Sequence, residues 1–280
     1  MTYKNTLQKI FSYSLLILGA ITMVLPFAWM ISTSLKSYSS VFIFNINDID
    51  WIPNPVYWKN YIDVWKVVPF ARFYFNSLFV CITVTLAQVA TSALAAYSFS
   101  RLRFPGREKV FFSYLATMMI PGSVTMIPVF VLMRIFGWID SYKALIIPAA
   151  FSAYGTFMLR QFFMTIPRDL EDAAKIDGCN HWSIFCKVIL PLSKTALATL
   201  TVFVALGNWV SFMWPLLVTN SLEKRTLPVG LAYFQEMYQY AQPDWGLLMA
   251  GSLITMIPII AIFIFGQKFF VEGIKLTGLK

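Results

Sequence analysis

PRDLEDAAKIDGCNHWSIFCKVILPL, residues 167–192, is the longest charged interval between two apolar runs and the most tightly punctuated. Asp169 has the short acceptor side chain that caps a helix start, and Gly178 supplies the left-handed residue that ends one. A short helix carrying Glu171, Ala173 and Ala174 is expected between them, with Leu170, Ala173 and Ala174 on one face. Asn180 is placed to cap a second helix over 181–190, which Pro191 is expected to stop. Two adjacent alanines leave little side-chain bulk, so another protein's surface can approach the backbone closely. The pattern also suits an amphipathic helix lying on lipid headgroups, but its thin apolar side and charges of both signs make lipid the weaker partner.

The apolar runs on either side set the fold class. The 280 residues are 58% hydrophobic and 12% charged, against roughly 25% charged in a soluble domain. A helical span of the bilayer core needs ~20 apolar residues. Charge-free runs of that kind fall at 10–35, 73–100, 110–133, 195–222 and 245–267. A shorter run from 144 extends to 166 if Arg160 snorkels to the interface. The expected architecture is an all-α membrane protein, a single domain over 1–280, with six spans at 10–35, 73–100, 110–133, 144–166, 195–222 and 245–267. The 167–192 loop then lies between spans four and five. Lys4 and Lys9 precede the first run, which is too long for a signal peptide and lacks a small-x-small cleavage site before Lys36, so it reads as an anchor.

Charge gives the orientation. With both termini inside, the inner segments hold most of the 22 basic residues: Lys4 and Lys9; Arg101, Arg103, Arg107 and Lys109; Arg160, Arg168, Lys175, Lys187 and Lys194; Lys268, Lys275 and Lys280. The 167–192 loop then faces the cytoplasm. The net charge of +9 is therefore a topology signal rather than a nucleic-acid footprint. The longest outer segment, 36–72, carries Trp51, Trp58, Trp65, Tyr57 and Tyr61, with Pro53 and Pro55 forcing a turn, and suits an interfacial aromatic belt.

Several chemistries are excluded. Cys81, Cys179, Cys186 and the single histidine, His181, lack the count and spacing of a zinc site and read as packing residues. No nucleophile elbow accompanies His181, so no catalytic residue is assigned. No Walker phosphate loop is present, so this chain is not expected to hydrolyse ATP. The expected spans contain no acidic residue, which disfavours a proton-driven secondary transporter, the alternative reading, while leaving open sodium sites made of carbonyls.

A transport path has its own candidates. Pro121-Gly122 and Pro128 interrupt the third run and free backbone groups that neighbours or a water-filled cavity must satisfy; a kinked packing helix explains them equally. The fifth run carries Asn208-Trp209-Val210-Ser211-Phe212-Met213-Trp214-Pro215. A sugar offers hydroxyls on its rim and C–H groups on its faces, so aromatic platforms beside amide and hydroxyl groups suit it. Asn208 can alternatively make an interhelical hydrogen bond.

The 167–192 loop resembles the EAA loop of permease subunits in binding-protein-dependent ABC importers. Glu171, Ala173, Ala174, Asp177 and Gly178 match the pattern, followed by Val188, Leu190 and Pro191. Asp172 separates the glutamate from the alanines, and Val188 stands where the family has Ile. Asn60-Tyr61, Asn76-Ser77, Arg101-Leu102-Arg103-Phe104, the outer segment Thr226–Leu231 with Tyr233, Tyr238 and Tyr240, and the Phe270-Val271-Glu272-Gly273 ending are also similar to the family. The resemblance is to the maltose-type carbohydrate branch, whose members often have Trp-Asn-Asp or Trp-Asn-Glu where this chain has Trp209-Val210-Ser211. It implies a heterodimer with a second related permease, two cytoplasmic ATPase subunits that hold ATP and magnesium, an extracytoplasmic solute-binding protein and a bacterial cytoplasmic membrane. No cofactor or metal is implied in this chain. The resemblance implies ATPase coupling through Glu171, Ala173, Ala174, Asp177, Gly178, Leu190 and Pro191. Glu171 would fix the loop by hydrogen bonds to its own turn or to the ATPase. A substrate path is expected along Asn76, Pro121, Gly122, Asn208, Trp209, Ser211 and Trp214.

Overall fold

The computed structural model describes residues 2–38, 51–236 and 244–277, with side chains over 8–38, 51–234 and 244–267. Tyr238, Tyr240, the residues 278–280 and the side chains of the 270–275 ending lie outside the described residues. Among those described, every regular element is helical. In chain order they are α1 (Thr2–Ser34), α2 (Asn60–Val67), α3 (Phe70–Arg101), α4 (Arg107–Ala116), α5 (Gly122–Ile135), α6 (Tyr142–Ile146) and α7 (Ala153–Thr165). There follow α8 (Asp169–Ile176), α9 (His181–Ile184), α10 (Leu190–Leu192), α11 (Lys194–Trp209), α12 (Met213–Val218), α13 (Leu227–Glu236) and α14 (Trp245–Thr277). They form two compact units, residues 1–71 with 230–257 and residues 72–229 with 258–280.

In the first unit, α1 is apolar all round and none of its most apolar window is buried, the pattern of a helix solvated by lipid. Its end is tied down by polar groups. The Asn60 amide donates to the carbonyls of Ser34 (2.9 Å) and Lys36 (2.8 Å). Glycine is required where the last helix passes, because a Cβ on Gly246 would stand 2.6 Å from the Lys36 carbonyl oxygen. The aromatic residues of the expected belt divide: Trp51 packs edge-on against Trp29 and Trp65 against Phe70, while Trp58 stays exposed.

The second unit is built on α3. Ala93, Ala96 and Tyr97 of α3 form one buried cluster with Leu159 and Phe163 of α7, Ile184, Phe185 and Ile189 of the 181–192 segment, and Leu200 and Val204 of α11. The α3 and α7 backbones approach closely, since a Cβ on Gly155 would lie 2.6 Å from the Ser92 hydroxyl oxygen. Three described helices are long and apolar enough to cross a membrane: Gln8–Ser34, Phe70–Arg101 and Trp245–Gln267. The expected spans 110–133, 144–166 and 195–222 are each broken instead.

Each break has a local cause. Between α4 and α5 the chain bends by 101°. Ile120 is extended (φ −87°, ψ 119°), as the residue before a proline prefers, and Pro121 (φ −57°, ψ 135°) cannot continue a helix. Pro128 lies within α5 without ending it. The 144–166 segment is interrupted at Phe151 and Ser152, both extended, and the Ser152 hydroxyl accepts from the Gly155 N–H to start α7. The 195–222 segment ends its first helix at Trp209 and restarts at Met213. Arg160 does not snorkel. It is buried over the Phe111 ring, donating to the Phe99 carbonyl and to both Glu108 carboxylate oxygens (3.1 Å each).

Candidate functional site

Two constellations in the second unit hold the residues singled out from the sequence. The first is the 167–192 loop. α8 starts at Asp169 itself, and Arg168 before it is already helical with no side-chain cap, so Asp169 is not the cap. Asp169, Glu171 and Asp172 instead place negative charge in the first turn, where the helix dipole favours it. Gly178 ends the helix at φ +79°, with the Cys179 N–H bonded to the Ala174 carbonyl and the Gly178 N–H to that of Lys175. The Asn180 side chain accepts from the Ser183 N–H at 2.8 Å and caps α9.

Pro191 does not stop this segment. A π turn over Phe185–Ile189 precedes it, and the helix runs on to Leu192 before bending 79° into α11. The wider turn accommodates a proline ring that would meet the carbonyl four residues back in an ordinary helix. Pro191 itself is exposed, while Leu190 packs against the buried cluster.

The faces of α8 are also redistributed. Glu171 points inward, its carboxylate 3.0 Å from Nε of Arg101, with both side chains more than nine-tenths buried. It bonds neither its own turn nor the outer surface. Ala174 turns inward against the buried cluster, so it does not share the outer face with Ala173. Outward stand Ala173, Asp177, Ile176 (88% exposed) and, from α9, Trp182 (64% exposed). Asp172, which the sequence pattern passed over, is exposed beside them, as is the Asp177 carboxylate. The hydrogen bond that Asp172 accepts from the Lys175 ammonium (2.8 Å) holds its carboxyl below the ordinary aspartate value.

The second constellation is a cavity of about 340 Å³, within the range of small-ligand sites. Gly122, Asn208, Ser211 and Trp214 line it, as the sequence suggested, and Ser77, Thr125 and Thr226 join them from other segments. No lining residue is charged. The breaks at Pro121-Gly122 and at 210–212 both open onto this cavity, where irregular backbone at membrane depth is tolerated. The Asn208 amide donates to the Val204 carbonyl one turn back, and the Trp214 indole N–H to the Ala144 carbonyl at 3.0 Å, which fixes both groups. Thr226 buries a hydroxyl with no partner among the described residues.

Three expected path residues serve other ends. Pro121 breaks the helix and is not among the lining residues. Trp209 is buried against the Tyr74 ring. Asn76 donates to the carbonyls of Glu223 and Arg225 (2.8 Å each) and accepts from the Tyr142 hydroxyl. It latches the 219–226 segment to α3, aided by the Ser77 hydroxyl, which accepts from the Leu227 N–H at 2.7 Å. Asp140, in the left-handed conformation (φ 61°), holds the other side by accepting from the N–H groups of Asn220 and Ser221 and from the Ser221 hydroxyl, each at 3.0 Å. Burial alone would raise the Asp140 carboxyl; these bonds and Lys224 outweigh it and draw it below its usual value. Asp140 carries no sequence signal beyond its place near a Gly-Trp turn.

Residues 88–276 match the family described as the binding-protein-dependent transport system inner membrane component, and the chain belongs to it. The arabinooligosaccharides transport system permease protein AraQ of Halalkalibacterium halodurans is 36% identical over 73% of this chain and 72% of its own length. The sn-glycerol-3-phosphate transport system permease protein UgpE of Yersinia enterocolitica is 32% identical over 95% of both chains. Among solved structures, a chain of a bacterial ABC transporter involved in import of the acidic polysaccharide alginate superposes with a TM-score of 0.85 at 26% identity, covering 96% of this chain and 99% of that one. The chain is therefore an inner-membrane transport component whose relatives are permeases of ABC importers.

Proposed function

We propose that this chain is one permease of an ATP-driven importer for an uncharged carbohydrate, contributing half of the translocation path. The observation that carries the reading is the cavity bounded by two helix breaks and lined by amide, hydroxyl and indole groups without a charge. Such a lining suits a neutral saccharide better than a phosphorylated or uronate one. The broken segments count as single crossings, giving six with 144–166, and both termini lie in the cytoplasm, in accord with the distribution of Lys and Arg. A second related permease completes the path, two ATPase subunits supply ATP and magnesium, and an extracytoplasmic binding protein delivers the solute.

Coupling runs through the 167–192 loop. Ile176, Ala173 and Trp182 enter a cleft on the ATPase, and Asp172 and Asp177 rather than Glu171 offer accessible carboxylates. Closure of the ATPases moves the loop, and the helices follow as rigid bodies. The test is uptake of neutral and uronate oligosaccharides into proteoliposomes holding the assembled transporter, with and without ATP. ATP-dependent uptake of the neutral sugar is expected; uptake by this chain alone down an ion gradient would instead establish a secondary transporter.

A further inference from the structure

The Arg101 guanidinium sits where three elements of the second unit meet. It ends α3, its Nη2 donates to the carbonyls of Phe163 and Ile166 at the end of α7, and its Nε faces the Glu171 carboxylate of α8 at 3.0 Å. The last carbonyls of a helix lack their i+4 donors, and although the Phe163 carbonyl also accepts from the Ile166 N–H, one planar fork completes the end of α7 while holding the charge on α8. The Arg101 side chain is 3% exposed and that of Glu171 8%. Separating a buried pair strands an uncompensated charge, whereas rotation about it need not. The contact has that freedom: the Nε–H makes no directed hydrogen bond to the carboxylate, so attraction between charges, not bond direction, holds the pair. By contrast, the exposed pair Asp172–Lys175 is internal to α8 and anchors it to nothing.

The other end of α3 completes the connection. Ser77 and Val80 line the cavity, and Asn76 and Ser77 hold the 219–227 segment. From Ser77 to Arg101 an unbroken helix runs about 36 Å at ~1.5 Å per residue.

We propose that the Arg101–Glu171 pair is the joint through which movement of the 167–192 loop reaches the cavity wall. Arg101 and Glu171 are positioning residues; neither touches the solute. The proposal rests on the coupling role given to the loop above. A push on α8 cannot part the pair, so it displaces the ends of α3 and α7 together, and α3 as a rod carries the displacement to Ser77 and Val80.

The experiment uses the assembled transporter in proteoliposomes, with Cys81, Cys179 and Cys186 replaced by alanine. Val80→Cys reports the cavity wall by its rate of labelling with a membrane-impermeant maleimide, measured without nucleotide and after trapping with ATP and vanadate. In a separate parent, Ala173→Cys reports docking by cross-linking to the ATPase. We expect at least a fivefold change in labelling on trapping in the parent. With Glu171→Gln the change should fall below twofold while ATP hydrolysis stays within threefold and the Ala173→Cys cross-link persists. Glu171→Asp, which keeps the charge, should recover at least half of the change. A Glu171→Gln transporter that keeps the full labelling change overturns the joint, as does loss of the cross-link in that variant, since Glu171 would then only place α8 for docking. Absence of the cross-link in the parent removes the coupling reading itself. If Glu171→Gln does not reach the membrane, Arg101→Gln, which removes the positive charge but keeps an amide donor for the α7 carbonyls, takes its place with the same expectations.

Discussion

The two ends of the second unit are fastened by different means. At the end that holds the 167–192 loop, a buried ion pair and a guanidinium on two helix-end carbonyls join three helices. At the end that holds the 219–226 segment, a neutral amide, hydroxyls and one partly exposed carboxylate take up loop carbonyls and N–H groups. A buried charge pair is costly to separate, by about 3–5 kcal/mol when one partner is removed. Hydrogen bonds to loop backbone are each worth about 0.5–1.5 kcal/mol net and can be exchanged for water. The proposed joint at the first end would therefore resist separation more than the hydrogen bonds at the second.

The largest effect that probes this contrast is at the loop. Gly178→Val places a β-branched residue at φ +79°, where L side chains are strained. ATP-driven uptake should be lost while the protein still reaches the membrane, as membrane fractionation beside vesicle uptake will read. Undiminished uptake would show that the loop transmits nothing. Next is Asn76→Ala at the other end, which removes two hydrogen bonds and leaves the Tyr142 hydroxyl unpaired; a loss of about 2–3 kcal/mol is expected in thermal unfolding. A loss equal to that from Glu171→Gln would erase the proposed difference between the ends.

Beside the latch opens the cavity, where Asn208→Ala should raise the half-saturating sugar concentration about tenfold, or ~1.4 kcal/mol, with little change in ATP hydrolysis. An unchanged value would leave Asn208 as a helix-internal amide. The smallest effect concerns Asp140, whose carboxyl is lowered in the folded state. The stability it adds is therefore present above its unfolded value, about 3.9, and is lost as pH falls through the lower folded value. Asp140→Asn should lower the thermal stability at pH 7, and the difference from the parent should narrow in strongly acidic buffer.

Much of the local structure was legible in the sequence because its causes are local. Gly178 and Asn180 punctuate the loop as their side chains dictate, and Pro121 both marks and makes the break in the third apolar run. Gly122, Asn208, Ser211 and Trp214 drew attention in the sequence by their chemistry or by breaking an apolar run, and the fold brings them to one cavity. Pro191 misled because the π turn before it absorbs a proline that an ordinary helix would not. Arg160 misled because its partner, Glu108, lies 52 positions away. Glu171 and Asp172 are neighbours of similar chemistry, and no local rule says which of them turns inward.

The apolar runs, the helical punctuation and the membership in a transport family follow from the sequence alone, since composition and short-range sterics act over a few residues. Which carboxylate meets Arg101, which asparagine latches a loop rather than lining a cavity, and how two helix breaks come to share one space were decided by tertiary packing. Those outcomes rest on contacts between residues tens to more than a hundred positions apart, where burial sets the cost of leaving a charge or a backbone group without a partner.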